Sequence, residues 1–241
     1  MLKQEDYQQH ISGQFNTELE SLRNNMLGMG GKVEQQLLSA LEALMSMDSG
    51  EAEAVVQLDN EVNQMEMAID EECATIIARR QPTASDLRLV IAIIKVNTDL
   101  ERIGDEAARV ARLTLRLAED GVSPSNFVEV RHIGNRVAGM LRQALDAFAR
   151  LDVAQAIEVV KSDEAVDKEY GSAMRSLVTF MMEDHREIGA ILNEMWALRS
   201  LERIGDHACN IAEQVVYLVQ GLDVRHGRLE ELDIEVLDRR K

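Results

Sequence analysis

The chain has 241 residues, of which 29% are charged and only 3% aromatic, with two prolines and a net charge of −17. That charge excludes the phosphate backbone of nucleic acids as the governing partner and opposes docking on an anionic bilayer. No apolar run approaches the roughly 20 residues that cross a membrane, Met1 to Asp6 carries no apolar signal core, and Cys73 and Cys209 alone make no disulfide framework. Abundant Ala, Leu, Glu and Met with so little proline favour helices over sheet, so the expectation is a soluble, cytoplasmic, all-α chain without membrane insertion.

After a polar lead-in, apolar residues recur every three or four positions from Phe15 through Leu19, Leu22, Met26, Met29, Val33, Leu37, Leu41 and Leu44 to Met47. This is one face of a long helix. Gly28, Gly30 and Gly31 fall inside it and permit either a kink or a close helix approach. Asp48-Ser49-Gly50 is expected to end the element. A second helix carries Val55, Leu58, Val62, Met65, Ile69, Cys73 and Ile76 on one stripe and stops before Gln81-Pro82. A third, capped by Thr83 or Ser85, runs through Ile93, Val96, Leu100, Ile103, Ala107, Val110, Thr114 and Leu117. Gly121-Val122-Ser123-Pro124 then breaks the chain.

The second half repeats the plan. A fourth helix holds Val130, Val137, Leu141, Ala144, Phe148 and Leu151; a fifth is expected from about Val153 to Met182 and a sixth from about His185 to Gln220, ended by Gly221. The tail, Leu222 to Lys241, is short and charged. Leu100-Glu101-Arg102-Ile103-Gly104-Asp105 returns identically as Leu201-Glu202-Arg203-Ile204-Gly205-Asp206, 101 positions on. Ala40-Leu41-Glu42-Ala43-Leu44 matches Ala144-Leu145-Asp146-Ala147-Phe148 at an offset of 104, as do Val55, Val56 and Asp59 with Val159, Val160 and Asp163. The three extra residues of the first half fall near Pro82, at a helix–helix turn, where insertions are tolerated. The predicted architecture is two tandem three-helix bundles, six long helices with an internal pseudo-repeat, divided into residues 1–120 and 121–241.

On a helical wheel, Glu101 and Asp105 lie beside the buried stripe rather than opposite it. Gly104 and Ala108 fill the positions between, and Gly205 and Cys209 do so in the second copy. Small residues there leave room for another helix, an ion or a ligand. For one copy alone the ordinary reading is a solvated acid pair, with Arg102 pairing Glu106 at the surface. The turns change that balance. Asp59 and Asp105 are equally far from Pro82, as are Asn63 and Glu101; around a turn between Asp184 and His185, Asp163 pairs in level with Asp206 and Asp167 with Glu202. Each hairpin thus brings four oxygen-bearing side chains together, and like charges that close call for a neutralising cation. Asp59, Asn63, Glu101 and Asp105 form one candidate metal site, and Asp163, Asp167, Glu202 and Asp206 the other. Oxygen donors suit hard or intermediate cations such as Mg, Mn or Fe, with Zn also admitted.

Other constellations carry less. Glu129 and His132 form a single Glu-x-x-His, where carboxylate-bridged di-iron enzymes need two, so that alternative is weak. His207 and Asn210 flank the second signature as outer groups. His185 is expected to cap a helix or face solvent. Arg109, Arg112 and Arg116 form a basic ridge, ordinarily solvated, otherwise a docking patch for an acidic partner. There is no phosphate-binding glycine loop and no nucleophile–base pair.

The run Leu201-Glu202-Arg203-Ile204-Gly205-Asp206-His207-Ala208-Cys209-Asn210-Ile211-Ala212-Glu213 closely resembles the signature of the PhoU family of phosphate-transport accessory proteins, and the likeness extends over nearly the whole chain. The resemblance implies two three-helix bundles in a cytoplasmic, usually dimeric, non-enzymatic regulator. It would repress the phosphate-starvation regulon by linking the ATPase subunit of the phosphate ABC transporter to the PhoR histidine kinase. Family members carry Glu/Asp-x-x-x-Asp motifs that bind metal; Glu101/Asp105, Glu202/Asp206 and Asp163/Asp167 fit that pattern. Asp59/Asn63 departs from it by an amide. The phosphate role comes from the likeness alone.

Overall fold

The computed structural model describes residues 4–119, 128–183, 185–222 and 224. They form six α-helices: α1 (Gln4–Ser46), α2 (Ser49–Arg80), α3 (Ala84–Glu119), α4 (Val128–Arg150), α5 (Val153–Glu183) and α6 (Ile188–Gln220). The expected elements are all present. The sixth starts later than predicted, because His185–Glu187 forms a 3-10 turn ahead of it. The break at Gly121 to Pro124, the 120/121 boundary and the charged tail from residue 225 lie outside the described residues.

The first interhelical turn differs from the expectation in an instructive way. Ser49 and Gly50 do not end α1; they open α2, and Asp48 caps it by accepting the N–H groups of Gly50 (2.8 Å) and Glu51 (3.0 Å). The reversal is made one residue earlier by Met47, at φ 54°. The second half copies the device: Leu151 sits at φ 55° and Asp152 accepts the N–H of Gln155 at 3.1 Å. A left-handed non-glycine residue costs roughly 1–2 kcal/mol, and an N-cap returns about the same. Apolar residues therefore occupy a position where glycine would be expected.

Within each half the three helices touch pairwise, and α3 and α6 pair with each other to join the halves into one continuous core. Those two run antiparallel: Gly221, just past α6, abuts Arg88 near the start of α3, while Glu106 reaches Arg203 further along. The α3 stripe from Ile93 to Leu117 is buried, as are Leu201, Ile204, Ala208, Ile211 and Val215 on α6, and residues beside them are buried too, Asn97 and Ala111 on α3 and Ala212 and Val216 on α6. Both helices serve two interfaces at once.

A smaller contact between α1 and α4 decides the role of the α1 glycines. A Cβ on Gly30 would lie 2.6 Å from Leu145 Cδ2, and one on Gly134 would lie 2.5 Å from Leu41 Cδ2. Gly30 corresponds to Gly134 in the repeat, and Leu41 to Leu145. Each half thus inserts the same leucine against the same glycine of the other, as an approximate two-fold axis requires. Among the described residues Gly28 and Gly31 meet nothing within 4 Å, and α1 runs through all three. Among the described residues no helix is long and apolar enough to cross a membrane.

Gly30→Val and Gly134→Val should each destabilise the chain by about 1–3 kcal/mol through overpacking, whereas Gly28→Ala should be neutral or stabilising by up to about 1 kcal/mol. Urea unfolding followed by circular dichroism measures both; equal effects at the three positions would contradict the reciprocal contact.

Candidate metal centre

The buried stripe of α2 runs Ala52, Val55, Asp59, Val62. Asp59 occupies a core position, 6% exposed, while Leu58, expected on that stripe, is only half-buried. An acid stands where the spacing asks for an apolar residue, and its partners explain how. Asp59 Oδ1 accepts a hydrogen bond from Gln36 Nε2 of α1 at 3.2 Å, and Arg112 Nη2 lies 3.7 Å from Oδ2. Gln36 is fully buried and donates also to the Gly104 carbonyl at 3.3 Å.

Gly104 makes this arrangement possible. A Cβ there would lie 3.1 Å from Gln36 Oε1, 3.3 Å from Val62 and 3.6 Å from Asp59 Oδ1. At Gly205 it would lie 3.3 Å from Asp163 Oδ1. In both hairpins the signature glycine lets the aspartate of the neighbouring helix come in beside the acids, as the wheel predicted.

In the first half, burial raises the Asp59 carboxyl above its usual range, Gln36 opposes this, and the charge of Asp105 adds to it. Glu101 is raised by burial first, then by Asp105. Asn63 is half-exposed and makes no hydrogen bond to any of these acids. Glu66 belongs to the same neighbourhood: its carboxyl is raised by burial, then by Asp70. Its backbone carbonyl and Asp70 Oδ1 both accept from the buried Asn97, at 3.0 and 2.9 Å. Gln36, Glu66 and Asn97 are participants the sequence reading missed. Gln36 and Asn97 interrupt apolar helix faces, and a buried amide is the one signal that could have found them.

The second half is the more charged. Burial, then Asp167 and Asp206, push the Asp163 carboxyl up to about 6. Burial, then Asp206, raises Glu202. Arg199 binds Glu202 Oε1 at 2.8 Å and leaves Oε2 buried without a partner among the described residues. Asp167 and Asp206 face solvent, so the cluster opens on one side. The donor chemistry fits a hard cation: four carboxylates that repel one another, and an orphaned inward oxygen. As the side chains stand, among the described residues no three of His, Cys, Asp or Glu converge closely enough to grip an ion. Glu202 is engaged by Arg199, and Glu101 and Asp105 by Arg102 at 3.4 and 3.9 Å.

Two expected placements are corrected. Arg102 does not pair with Glu106, which is buried and bound instead by Arg109 at 2.9 Å and Arg203 at 2.5 Å. His207 and Asn210 are not outer groups of the second cluster; both turn to Asp99 Oδ1 of α3, at 2.8 and 3.0 Å, and tie the halves together. His132 lies exposed, 3.2 Å from Glu169, and the exposed His185 stays near the Met181 carbonyl.

The family model for the PhoU domain matches this chain twice, over residues 26–114 and 130–215. A phosphate-specific transport system accessory protein PhoU homolog from Pseudomonas aeruginosa is 56% identical over 240 residues, covering 100% of this chain and 99% of that protein. The protein of that name from Escherichia coli is 48% identical over 224 residues, covering 93% and 92%. The crystal structure of PhoU from Pseudomonas aeruginosa superposes with a TM-score of 0.84 at 59% identity, covering 86% of this chain and 100% of that one. The phosphate transport system regulatory protein PhoU from Streptococcus pneumoniae gives 0.79 at 33% identity, covering 86% and 98%.

The raised carboxyls fix the sign of a pH dependence. A folded-state value above the unfolded one means the folded chain binds protons more tightly, so stability is present below the unfolded value and lost as pH rises through the folded one. For Asp163 that window runs from 3.8 to about 6. In the presence of chelator, Asp163→Asn should therefore raise the Tm at about pH 7 and leave it little changed at about pH 4. A lower Tm for the variant at neutral pH would contradict the repulsion.

Proposed function

The chain belongs to the PhoU family, and from that premise we propose that it is a non-enzymatic accessory protein of phosphate-specific transport that represses the phosphate-starvation response when phosphate is plentiful. In this reading it works in the cytoplasm as a homodimer built from two duplicated units, residues 1–120 and 121–241. It couples the ATPase subunit of the phosphate ABC transporter to the PhoR histidine kinase and so modulates uptake. The supporting observation is the near full-length identity to proteins named as accessories of that transport system. The long helices suit such a role, because they offer extended faces and rigid levers rather than an enclosed reaction chamber.

The acidic clusters are read as cation sites. Asp163, Asp167, Glu202 and Asp206 would hold an ion in the second half; Asp59, Asn63, Glu101 and Asp105 would do so more weakly in the first, where an amide replaces one charge. The ion, Fe, Mn, Mg or Zn, would supply the positive charge the half-buried carboxylates lack. Its binding is favoured by the repulsion already present and by the orphaned Glu202 oxygen.

Deleting the gene in its native host should switch on a phosphate-starvation reporter in phosphate-rich medium; an unchanged reporter sinks the regulatory reading. Separately, Mn titrated calorimetrically into the chelator-treated chain should bind, with affinity at least about tenfold lower in Glu202→Ala or Asp206→Ala. Equal binding by the variants and the parent would remove the metal assignment without touching the regulatory one.

A further inference from the structure

The antiparallel α3–α6 pair has two ends that the repeat relates to each other, and they have diverged. At one end the polar groups satisfy themselves. Asp99 takes His207 and Asn210, and Lys95 lies 5.1 Å above the ring of Tyr217. At the other end Ser200 stands in place of Asp99, Glu106 in place of His207 and Arg109 in place of Asn210. Trp196 and Arg116 occupy the positions of Lys95 and Tyr217. Arg109, Arg112 and Arg116 of α3 face Arg199, Arg203 and Trp196 of α6 across an open groove floored by Leu113 and Ser200.

Five arginines line the groove with one glutamate on its wall, in a chain of net charge −17, and two of them, Arg112 and Arg199, also reach Asp59 (3.7 Å) and Glu202 (2.8 Å) outside it. Glu106 holds two of them and spans the two helices while doing so. Arg116 has no charged partner among the described residues, and Trp196, the chain's one tryptophan, is 62% exposed. At the opposite end the corresponding cation–ring pair, Lys95 and Tyr217, is half-buried.

The groove continues into an apolar row. Ile188, Leu192 and Trp196 follow one another at one-turn spacing along α6, all exposed. From Ile188 to Arg203 the surface is about 22 Å long, four helical turns, with apolar side chains at one end and guanidinium groups at the other. A free phosphate or a nucleotide would use only the arginine end. An anionic bilayer is flat, whereas these arginines face one another across a cleft, and the rest of the chain repels it. Tryptophan and arginine are the residues that dominate protein–protein contacts.

We propose that this groove and the adjoining apolar row form the docking surface for an acidic amphipathic helix of a partner protein. Acids along one side of that helix would lie between the arginines, and its apolar residues would cover Trp196, Leu192 and Ile188. The adaptor reading given above supplies the candidate partners; the face is assigned by the charge and exposure of this groove.

Biolayer interferometry with detergent-solubilised PhoR kinase and with the purified transporter ATPase subunit tests it. The variants Arg116→Glu and Trp196→Ala alter side chains without a hydrogen-bond or ion-pair partner among the described residues, and Lys168→Glu serves as a charge control, exposed on α5 outside the groove lining. Circular dichroism checks folding. The expected result is that the parent binds one of the two proteins, that each groove variant binds at least about tenfold more weakly, and that Lys168→Glu does not. Groove variants that bind as the parent does would overturn the docking surface and leave the adaptor reading standing. A parent chain that binds neither protein would overturn both. Binding to phosphatidylglycerol vesicles that Arg116→Glu abolishes, without binding to either protein, would replace the partner helix by a membrane.

Discussion

Half-buried carboxylates facing one another across a helical hairpin are the constraint around which this chain is arranged. A glycine on one helix lets the aspartate of the other approach, and the aspartate displaces an apolar side chain from the buried stripe. Neither substitution stabilises an isolated bundle: glycine weakens the helix by about 1 kcal/mol, and an acid in a core position loses hydration. The chain offsets the second cost differently in its two halves. In the first, Gln36 reaches in from α1 and hydrogen-bonds Asp59. In the second, the position corresponding to Gln36 is Met140, which has no such bond to give, and the Asp163 carboxyl rises to about 6.

Duplication explains the framework, and divergence explains the function sought in it. The reciprocal Gly30–Leu145 and Gly134–Leu41 contacts, the paired left-handed residues Met47 and Leu151, and the caps Asp48 and Asp152 have all kept their correspondence. These are structural, and a two-fold pseudo-axis holds them to the same geometry. Several polar side chains have not kept it. Asn63 against Asp167 changes the charge of one cluster, and Asp99 against Ser200 closes one end of the α3–α6 pair while opening the other. A packing contact that survives in both halves is read most economically as architecture, the repeated signature acids as a site kept in duplicate, and a side chain that differs as a task belonging to one half.

The helices were legible in the sequence because apolar spacing of three and four is a strong signal over thirty residues, and because each half repeats the other. The facing of Asp59 and Asp163 with the signatures was legible too, since two antiparallel helices about a known turn leave little freedom in level. What escaped notice depends on contacts between residues far apart in the chain. Nothing local marks Gln36 as the partner of Asp59, or Asp99 as the partner of His207; both require the relative rotation of helices from different hairpins. The turn at Met47 escaped because local propensity places left-handed residues at glycine, whereas here the cap at Asp48 and the packing of Met47 against the core hold it.

Everything assigned to the second cluster depends on its acids being held in mutual repulsion. Carboxyl carbon chemical shifts, followed by NMR through a pH titration of the chelator-treated chain, read this directly for Asp163. Titration near 6 is expected, with a fall in that value when Mg is added. Titration at the ordinary aspartate value of about 3.9, unmoved by the ion, would contradict it.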